Sequence, residues 1–530
     1  MQTTSIYKNP FTYVFYALVI FYIVVYGPYG LEDGDNGTVF SISWSMYHGV
    51  FPYRDFVYIK PPMSPYFHSL PLYISEEFAY LFNRMFYYVQ VFSYSLILSH
   101  LACKVFSIKR SQIVYFIAIV GALISIHNYP PMPWNTIDGV FFSAIGIYFL
   151  FQEKKTWWKL LLAAFFVSLG VLCKQSFYFF PVFITLYLLV TKQFKTTGWF
   201  VGFGLLFAAL FLGVLYANDA LELFFEQMFS FTSGSSFWRT GFHTYYMALK
   251  TNFLWVTAIL VALWLLKKIV PHNIVYIVVQ LIIAGVLIYL FINEDPFHTV
   301  KKSIIQTLFV FSVLFSVWSF RNNKAYGFLL LLLSLGWCAS ISNGFNTPID
   351  VSTPIVFAVF TFVFSRGAFP FRNTTGFVVI ALYVITFYIG YQNVYMDSDR
   401  KDLTFDMGEI YPQLSMIKSD EETYKKYAEL KQLSQEQSNY TVLPSVTLAH
   451  YLTETVNPIG IDWVFNHHIA DKIDEYVAKL EDNNVTVLLE NDFETSVNNY
   501  EKESLLTLYV RDNWELISTH EYFRIYKQRD

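Results

Sequence analysis

Apolar stretches recur along the first 392 residues of the chain, and polar connecting segments separate them. Each stretch spans a bilayer, or nearly spans one, if it forms a helix, because about 20 apolar residues cross the hydrocarbon core. The pattern predicts a polytopic α-helical membrane protein of about thirteen transmembrane helices. The predicted runs lie at 11–28, 85–103, 111–127, 136–151, 159–173, 176–191, 198–217, 250–266, 273–292, 303–319, 325–341, 354–365 and 374–392. The short runs at 159–173 and 354–365 are expected to be tilted, broken or partly re-entrant.

The pattern changes after residue 392, where charged residues become frequent. Residues 419–437 and 468–482 have the composition of amphipathic helices, while 440–444, 484–489, 505–510 and 521–526 are typical of strands. We therefore predict two domains, a transmembrane domain at 1–392 with a long first outer loop at 29–84, and a soluble α/β domain at 393–530.

Composition supports two environments for one chain. Hydrophobic residues make up 55% of the sequence and charged residues 14%, whereas a soluble domain has about 25% charged residues. The net charge of −4 hides a division: residues 393–530 hold 13 basic and 26 acidic residues, and residues 1–392 hold 23 and 14. A segment at −13 argues against a nucleic-acid partner.

Charges in the connecting segments alternate along the chain. One set of loops carries 15 basic residues with Glu153 as its single acid, and the other set carries eight basic and 13 acidic residues. Because basic loops stay in the cytoplasm, the N-terminus is predicted inside, and thirteen crossings place residues 393–530 outside. We expect an integral plasma-membrane protein, in a bacterial inner membrane, whose working face is the outer one.

The first outer loop carries the most distinctive chemistry. It opens with Glu32, Asp33 and Asp35 in Leu-Glu-Asp-Gly-Asp-Asn-Gly, and a helix is predicted from Thr38 onward. Turn formation and helix capping explain such acids equally well. Further along, Tyr58-Ile-Lys-Pro-Pro holds Lys60 in an extended segment ahead of two prolines. Fixed carboxylates and a fixed cation near the membrane surface suit chemistry on an anionic lipid headgroup.

These motifs resemble a known family. Asp35, the step to Met46, the pattern Met-x-x-Gly-x-x-Pro and Lys60-Pro-Pro are similar to the first outer loop of GT-C glycosyltransferases, closest to the lipid A aminoarabinose transferase and protein O-mannosyltransferase branch. Asn135-Thr-Ile-Asp138 resembles the family's second outer loop with its acid. Gly170-Val-Leu-Cys-Lys174 resembles a Gly-x-x-x-Lys segment. The family often has Asp-Glu at the first site, and here Asn36 follows Asp35.

The resemblance implies an inverting glycosyltransferase, hexosyl or pentosyl, that uses a polyprenyl-phosphate-linked sugar and no nucleotide. Asp35 is then the base, with Asp33 as the alternative and Asp138 as a second catalytic acid. Lys60 and Lys174 would neutralise the lipid phosphate, and Tyr58 accompanies Lys60. The acceptor is a glycolipid, a cell-surface glycan or a protein. We predict no metal ligands from the cysteine spacing; metal dependence and oligomeric state stay open.

Further outer residues have two interpretations each. Arg239, beside Trp238, either binds substrate or anchors the interface, and His298 and Lys301 either bind phosphate or anchor a helix. Lys174 is either a functional cation or a lysine that reaches the interface, and Asp138 either acts in catalysis or caps a helix. Competing functions are a transporter or flippase and a non-catalytic component of polysaccharide export. Few ionisable residues lie within the predicted helices, and no duplicated half is present, which disfavours a transporter.

Overall fold

The fold is a bundle of helices with a small α/β region at its C-terminal end, as seen in a computed structural model. The structure describes residues 9–31, 34–126, 131–230, 238–271, 299–341, 347–363, 373–390, 398–464, 472–491 and 504–529, with single positions between them. The helices of residues 9–390 are α1 Pro10–Val25, α2 Asp35–Tyr47, α3 Met63–Ser69, α4 Ala79–Val105, α5 Ser111–Ser125, α6 Asn135–Leu150, α7 Trp157–Val171, α8 Phe180–Val190, α9 Phe194–Ala217, α10 Leu221–Ser230, α11 Thr244–Ile269, α12 Thr299–Phe320, α13 Ala325–Ser340, α14 Thr353–Val363 and α15 Asn373–Gly390.

The apolar runs predicted from the sequence correspond to helices, except that the run at 273–292 lies almost wholly outside the described residues. Among the described residues, three helical stretches are long and apolar enough to cross a membrane: Phe194–Ala217, Arg239–Ala262 and Lys302–Phe320. The remaining apolar helices are shorter, and several continue into tight turns such as Gln175–Phe179 ahead of α8. The chain is a polytopic helical membrane protein.

Small residues bring α6 and α7 together. A Cβ on Gly146 would lie 2.9 Å from the carbonyl oxygen of Ala163, and one on Gly170 would lie 2.5 Å from Ser143 Oγ. Since apolar side chains gain little by leaving lipid, close backbone approach of this kind is a main source of helix association in membranes. The close packing fixes the end of α7 relative to the start of α6.

Two segments between the predicted transmembrane runs contain helices. The segment 29–84 holds α2, α3 and the first residues of α4, and the segment 218–249 holds α10 and a π-helical turn, Arg239–His243, that leads into α11. On α10, Phe224, Gln227 and Met228 are buried while Phe225 and Phe229 are exposed. This one-sided pattern explains why a short helix forms where an averaged hydropathy shows no run.

The C-terminal region has the predicted α/β character. Its elements are β1 Phe405–Asp406, β2 Lys418–Ser419, α16 Glu421–Glu436, β3 Tyr440–Leu443, α17 Ala449–Leu452, α18 Ile473–Asp482, β4 Thr486–Glu490, α19 Leu505–Asn513, β5 Glu515–Thr519 and β6 Phe523–Lys527. The four-stranded sheet has the order β3-β4-β6-β5, with β3 and β4 parallel and the other pairs antiparallel. The predicted domain boundary at 392/393 lies outside the described residues.

One predicted strand is wrong, because residues 505–510 form the start of α19. Ser504 Oγ accepts a hydrogen bond from the Thr507 amide, which caps the first turn. Leu506 and Val510 are buried four positions apart, so the apolar spacing has the period of a helix. The strand lies instead at β5, which the sequence pattern did not predict.

The C-terminal region packs directly on the first outer loop. Leu31, Phe40 and Trp44 share one apolar cluster with residues of the C-terminal region, including Leu448 and Tyr451. Polar contacts join the same surfaces: Trp44 Nε1 donates to the Thr455 carbonyl at 2.7 Å, and Tyr451 OH donates to the Glu76 carbonyl at 2.5 Å. The two regions therefore form one continuous packed surface.

The basic connecting segments meet at one end of the bundle. Lys104 Nζ lies 3.5 Å from a carboxylate oxygen of Glu153, and Lys155 Nζ donates to the Gln193 side chain. These contacts bring together the α4–α5, α6–α7 and α8–α9 connections. The opposite ends of α6 and α7 lie beside the first outer loop, where Met63 N donates to the Leu172 carbonyl at 2.9 Å.

Candidate active site

Two lysines from distant segments meet at the N-terminus of α6. Lys60 Nζ lies 3.5 Å from Asn135 Oδ1 and 5.4 Å from the centre of the Trp134 ring. Lys174 Nζ donates to Thr136 Oγ1 at 3.0 Å. The two ammonium groups thus contact consecutive residues of one helical turn, and the structure brings together both cations that the resemblance assigned to phosphate.

Local backbone conformation directs both segments to this point. Lys174 is extended, with φ −160° and ψ 142°, between the end of α7 and the turn Gln175–Phe179. Trp134 is extended as well, with φ −145° and ψ 122°, and α6 begins directly after it. The side chains of Trp134 and Asn135 contact Lys60, and that of Thr136 contacts Lys174.

The proton affinity of Lys174 is unusually low. Removal from solvent and the neighbouring charge of Lys60 lower the pKa of Lys174 to about 7, and the carboxylate of Asp350 partly opposes that shift. Asp350 lies in the outer turn Pro348–Val351 and is buried. Lys174 therefore changes its charge near neutral pH in this environment.

Asn135 connects the parts of the site. Its Nδ2 donates to Tyr58 OH at 3.3 Å and to the Cys173 carbonyl at 3.1 Å, while its Oδ1 faces Lys60. Tyr58 is buried, and burial raises the pKa of its phenol above the ordinary range. Tyr58 thus contacts Asn135 through a neutral hydroxyl group.

Asp138 lies in a closed polar network one turn into α6. The residue has no exposed surface, and its carboxylate accepts from Ser64 Oγ at 2.7 Å and from Gln90 Nε2 at 2.7 Å. His68 Nε2 lies 2.9 Å and 3.0 Å from its two oxygens. His68 Nδ1 is 2.7 Å from Asn83 Oδ1, and an amide oxygen only accepts, so Nδ1 carries a hydrogen.

Sequence reasoning missed His68, Ser64, Gln90 and Asp350. Ser64 and His68 are four positions apart, directly after Lys60-Pro-Pro, so a helical interpretation of that stretch would have placed them on one face. Gln90 lies inside a predicted apolar run. Asp350 became part of the site only through folding, since nothing local connects it with Lys174.

The predicted base lies at the start of α2, although its side chain lies outside the described residues. Asp35 is the first residue of that helix, and Gly34 before it has a φ of 112°. The Gly34 carbonyl accepts from Thr447 Oγ1 at 3.2 Å, so the C-terminal region contacts the turn that leads into Asp35. Asp33, the alternative base, lies outside the described residues.

Of the other predicted binding residues, the structure describes the side chain of Arg239 and leaves out those of His298 and Lys301. Arg239 is exposed in the π-helical turn at the start of α11, next to the exposed Trp238, and no described contact links it to Lys60 or Lys174. His298 lies outside the described residues. Lys301 lies in the first turn of α12, and its side chain is outside the described part.

Within the described part of the chain, no three His, Cys, Asp or Glu residues assemble as a possible metal site. The three cysteines, Cys103, Cys173 and Cys338, are free thiols and almost fully buried. Such thiols pack as small apolar groups.

Known proteins resemble the chain at two levels. A solved structure of ArnT from Cupriavidus metallidurans bound to undecaprenyl phosphate is 11% identical, covers 98% of both chains and has a TM-score of 0.48. The archaeal oligosaccharyltransferase AglB from Archaeoglobus fulgidus, in complex with an inhibitory peptide and a dolichol-phosphate, is 13% identical, covers 98% of this chain and 74% of its own, and has a TM-score of 0.49. No curated protein matches the chain in sequence.

The sequence comparison with protein families concerns a little less than half of the chain. Residues 65–317 match the model of glycosyltransferase family 87, a stretch that contains Asp138 and Lys174 and begins just after Lys60. This family is a GT-C family. The match confirms the predicted GT-C resemblance over this stretch and supports a membrane glycosyltransferase.

Proposed function

We propose that the protein transfers a hexosyl or pentosyl group, with inversion, from a polyprenyl-phosphate-linked donor to an acceptor outside the cytoplasm. The acceptor is a glycolipid, a cell-surface glycan or a protein. The lysine pair at the start of α6 carries this proposal, since two ammonium groups that converge on one helical turn can bind a single phosphate group. The lipid phosphate is the group that we place there.

Electrostatics at this point favours phosphate strongly. The first turn of α6 presents the positive end of the helix dipole, with which two additional ammonium groups interact unfavourably. Among the described residues, the carboxylate of Asp350 acts on Lys174 and offsets only part of the effect of burial and of Lys60. A bound phosphate group offsets the repulsion of the two ammonium groups from each other and from the helix dipole. Helix N-termini with nearby cations are recurrent phosphate sites.

The proposed reaction uses few protein groups. Asp35 accepts the proton of the acceptor hydroxyl, whose oxygen attacks the anomeric carbon of the sugar. The bond between that carbon and the phosphate oxygen breaks, and its electron pair stays on the phosphate. Lys60 and Lys174 stabilise the charge that develops there, which lowers the barrier more than it stabilises the bound donor.

The domain arrangement is part of the proposal. We place the transmembrane domain at 1–392 and the α/β domain at 393–530, with the N-terminus in the cytoplasm and the α/β domain outside. Lys401→Cys should then react with a membrane-impermeant maleimide in intact cells, and Lys195→Cys only after permeabilisation. The native cysteines are buried, so labelling reports the introduced thiols. The reverse pattern would contradict the proposed orientation.

A transporter or flippase is the second candidate, and the position of the cations disfavours it. Lys60 and Lys174 lie beside the first outer loop, at an end of the helix bundle, whereas transporter sites lie near the middle of the membrane. Mass spectrometry of cell-surface glycans and glycolipids separates the two functions. Cells with Asp35→Asn should lose one glycosylated product while they keep the folded protein, whereas a transporter should still move its substrate.

Binding of polyprenyl phosphate to the purified protein in detergent tests the phosphate site itself. Lys60→Met and Lys174→Met should each weaken binding about tenfold or more, because charged hydrogen bonds to phosphate are lost. The polyprenol without its phosphate should bind all variants equally. Lys195→Met, a change at an exposed lysine of α9, serves as the matched control. Unchanged affinity in both lysine variants would overturn the proposed site.

A further inference from the structure

The segment that carries Lys60 has few hydrogen-bonding groups of its own. Lys60 is followed by Pro61 and Pro62, which have no N–H, and the segment belongs to none of the described sheets. A long lysine side chain on such a segment has many accessible positions. Contacts from other elements must therefore fix where its ammonium group lies.

Three side chains hold the backbone at consecutive residues. Gln227 Oε1 accepts from the Tyr58 amide at 2.8 Å. Gln175 Nε2 donates to the Ile59 carbonyl, and Tyr53 OH donates to the Lys60 carbonyl at 2.7 Å. Each residue from 58 to 60 thus has one backbone group that a side chain from elsewhere in the chain holds.

Gln227 has the most connected position of the three. It is 2% exposed, and its Nε2 donates to the Tyr53 carbonyl at 2.9 Å while its Oε1 contacts the Tyr58 amide. One amide group therefore joins both ends of the turn 53–58 and sets the direction in which the chain leaves toward Lys60. Tyr53 itself has a φ of 70°, so this turn is strained and requires such support.

The helix that bears Gln227 explains why the contact is stable. On α10, Phe224 and Met228 flank Gln227 and pack with Tyr53 and Tyr58 in one buried cluster. The opposite side of α10 exposes Phe225 and Phe229. The amide is consequently shielded from water, where it would exchange its partners freely.

We infer that Gln227 is a positioning residue for the lipid phosphate, because it fixes the segment that delivers Lys60 to the start of α6. The inference rests on the proposed function, in which Lys60 contacts that phosphate. Gln227 itself touches Tyr53 and Tyr58, and it acts through the lysine.

The test compares binding of polyprenyl phosphate and polyprenol to purified variants in detergent. Gln227→Met keeps the length of the side chain and removes both hydrogen bonds, so it should weaken phosphate binding about tenfold and leave polyprenol binding unchanged. Gln152→Met, which alters a glutamine beyond the other end of α6, should bind both lipids as the wild type does. Tyr53→Phe removes the contact with the Lys60 carbonyl and should weaken phosphate binding as Gln227→Met does. It replaces Gln227→Met in the test if Gln227→Met folds poorly.

A double-mutant cycle separates positioning from a general loss of structure. Gln227→Met combined with Lys60→Met should bind no more weakly than Lys60→Met alone, because the first change acts through the second residue. Additive losses, or unchanged phosphate affinity in Gln227→Met and Tyr53→Phe, would overturn the inference. If Lys60→Met also binds polyprenyl phosphate normally, the proposed phosphate site is wrong. If Lys60→Met binds it more weakly and Gln227→Met does not, the phosphate site stands and the role of Gln227 is wrong.

Discussion

Lys174 is the residue whose chemistry depends most on its surroundings. A solvent-exposed lysine stays charged up to about pH 10, whereas burial and Lys60 lower the pKa of this one to about 7. An arriving phosphate reverses both causes, since it replaces water as a partner and screens the charge of Lys60. Binding of the lipid phosphate and protonation of Lys174 are therefore linked.

This linkage predicts a pH dependence. A pKa lowered to about 7 means that the free protein loses the Lys174 charge as the pH rises through that value, so phosphate binding then requires uptake of a proton. In Lys174→Arg the guanidinium stays charged at every accessible pH. The ratio of the wild-type Kd to the Lys174→Arg Kd for polyprenyl phosphate should rise up to about thirtyfold between pH 6 and pH 8.5, because the charged fraction of Lys174 falls by that factor. The ratio cancels titration of the lipid itself, and a constant ratio would contradict the linkage.

Asp138 presents a choice between catalysis and architecture, and its surroundings favour architecture. Its carboxylate is fully buried and contacts Ser64, His68 and Gln90, so an acceptor hydroxyl has no access to it. The network instead joins α3 and α4 to the first turn of α6. It holds the turn on which Asn135 and Thr136 meet the two lysines.

The two roles predict different variants. Asp138→Ala should lower the free energy of unfolding by about 3 kcal/mol, since it leaves His68 without its partner in the interior. His68→Leu should destabilise similarly, and the double variant should cost less than the sum of the two. Chemical unfolding in detergent measures these changes. A catalytic base would behave in the opposite way, with glycosyl transfer lost and stability unchanged in Asp138→Ala.

At the residue scale, the sequence indicates polar groups that stand in local motifs and misses those whose partners are distant in the chain. Lys60 and Lys174 stand in recognisable motifs, and their meeting at α6 follows from the way outer loops converge. His68 and Gln90 gave no comparable signal, because a polar residue in an apolar run is informative only when its partner is known. Asp350 approaches Lys174 from a segment 176 residues away in the sequence, a distance that no single-sequence pattern spans.

At the scale of elements, the contact between α2 and the C-terminal region depends on one glycine. A Cβ on Gly37 would lie 2.1 Å from Thr447 Oγ1 and 2.7 Å from Leu448 Cγ. Thr447 also donates to the Gly34 carbonyl, directly before Asp35. The first turn of α2 is therefore positioned by a residue more than 400 positions away in the sequence.

Gly37→Ala should separate these surfaces. Overpacking of this kind costs about 1–3 kcal/mol, and the displacement should also reduce glycosyl transfer because Asp35 lies in the affected turn. Gly198→Ala is the matched control, since no atom lies within 4 Å of its Cβ position in α9 and alanine favours a helix. Thermal unfolding and product formation are measured together. If Gly37→Ala behaved like Gly198→Ala, the close contact would be wrong.

Element prediction was accurate for long apolar runs and for the amphipathic helices α16 and α18, whereas two short helices were missed. The transmembrane runs within the described residues became helices because twelve or more apolar residues leave few alternatives in lipid. By contrast, α10 and α19 are short, and their apolar residues occupy one face. A window average removes that signal for α10. In 505–510 the run of leucine, tyrosine and valine favours a strand until the cap at Ser504 is considered.

At the scale of the whole molecule, one apolar cluster contains residues from both sides of the predicted domain boundary. The sequence divides by charge into a membrane part and an acidic part, yet the rings of Trp44 and Tyr451 meet edge to face in one cluster, with 5.3 Å between their centres. Arg400 lies over the rings of Tyr26 and Tyr29 at 4.7 Å and 3.9 Å. A soluble domain that was connected to the last helix only through the chain would make none of these contacts.

Cleavage of the chain between the two regions tests whether they behave as one body. A protease site inserted between Lys401 and Asp402 lies in an exposed turn, so cutting there breaks one peptide bond and leaves the shared core in place. The fragments should co-purify in mild detergent, because separation would expose Phe40, Trp44 and Leu448 to water at about 25 cal/mol for each Å². Trp44→Ala should release the C-terminal fragment after cleavage, whereas Trp199→Ala, at an exposed position of α9, should not. If the C-terminal fragment left the cleaved protein while Trp44 was intact, the α/β region would be a separate domain. The contact between Thr447 and the turn before Asp35 would then not hold the two regions together.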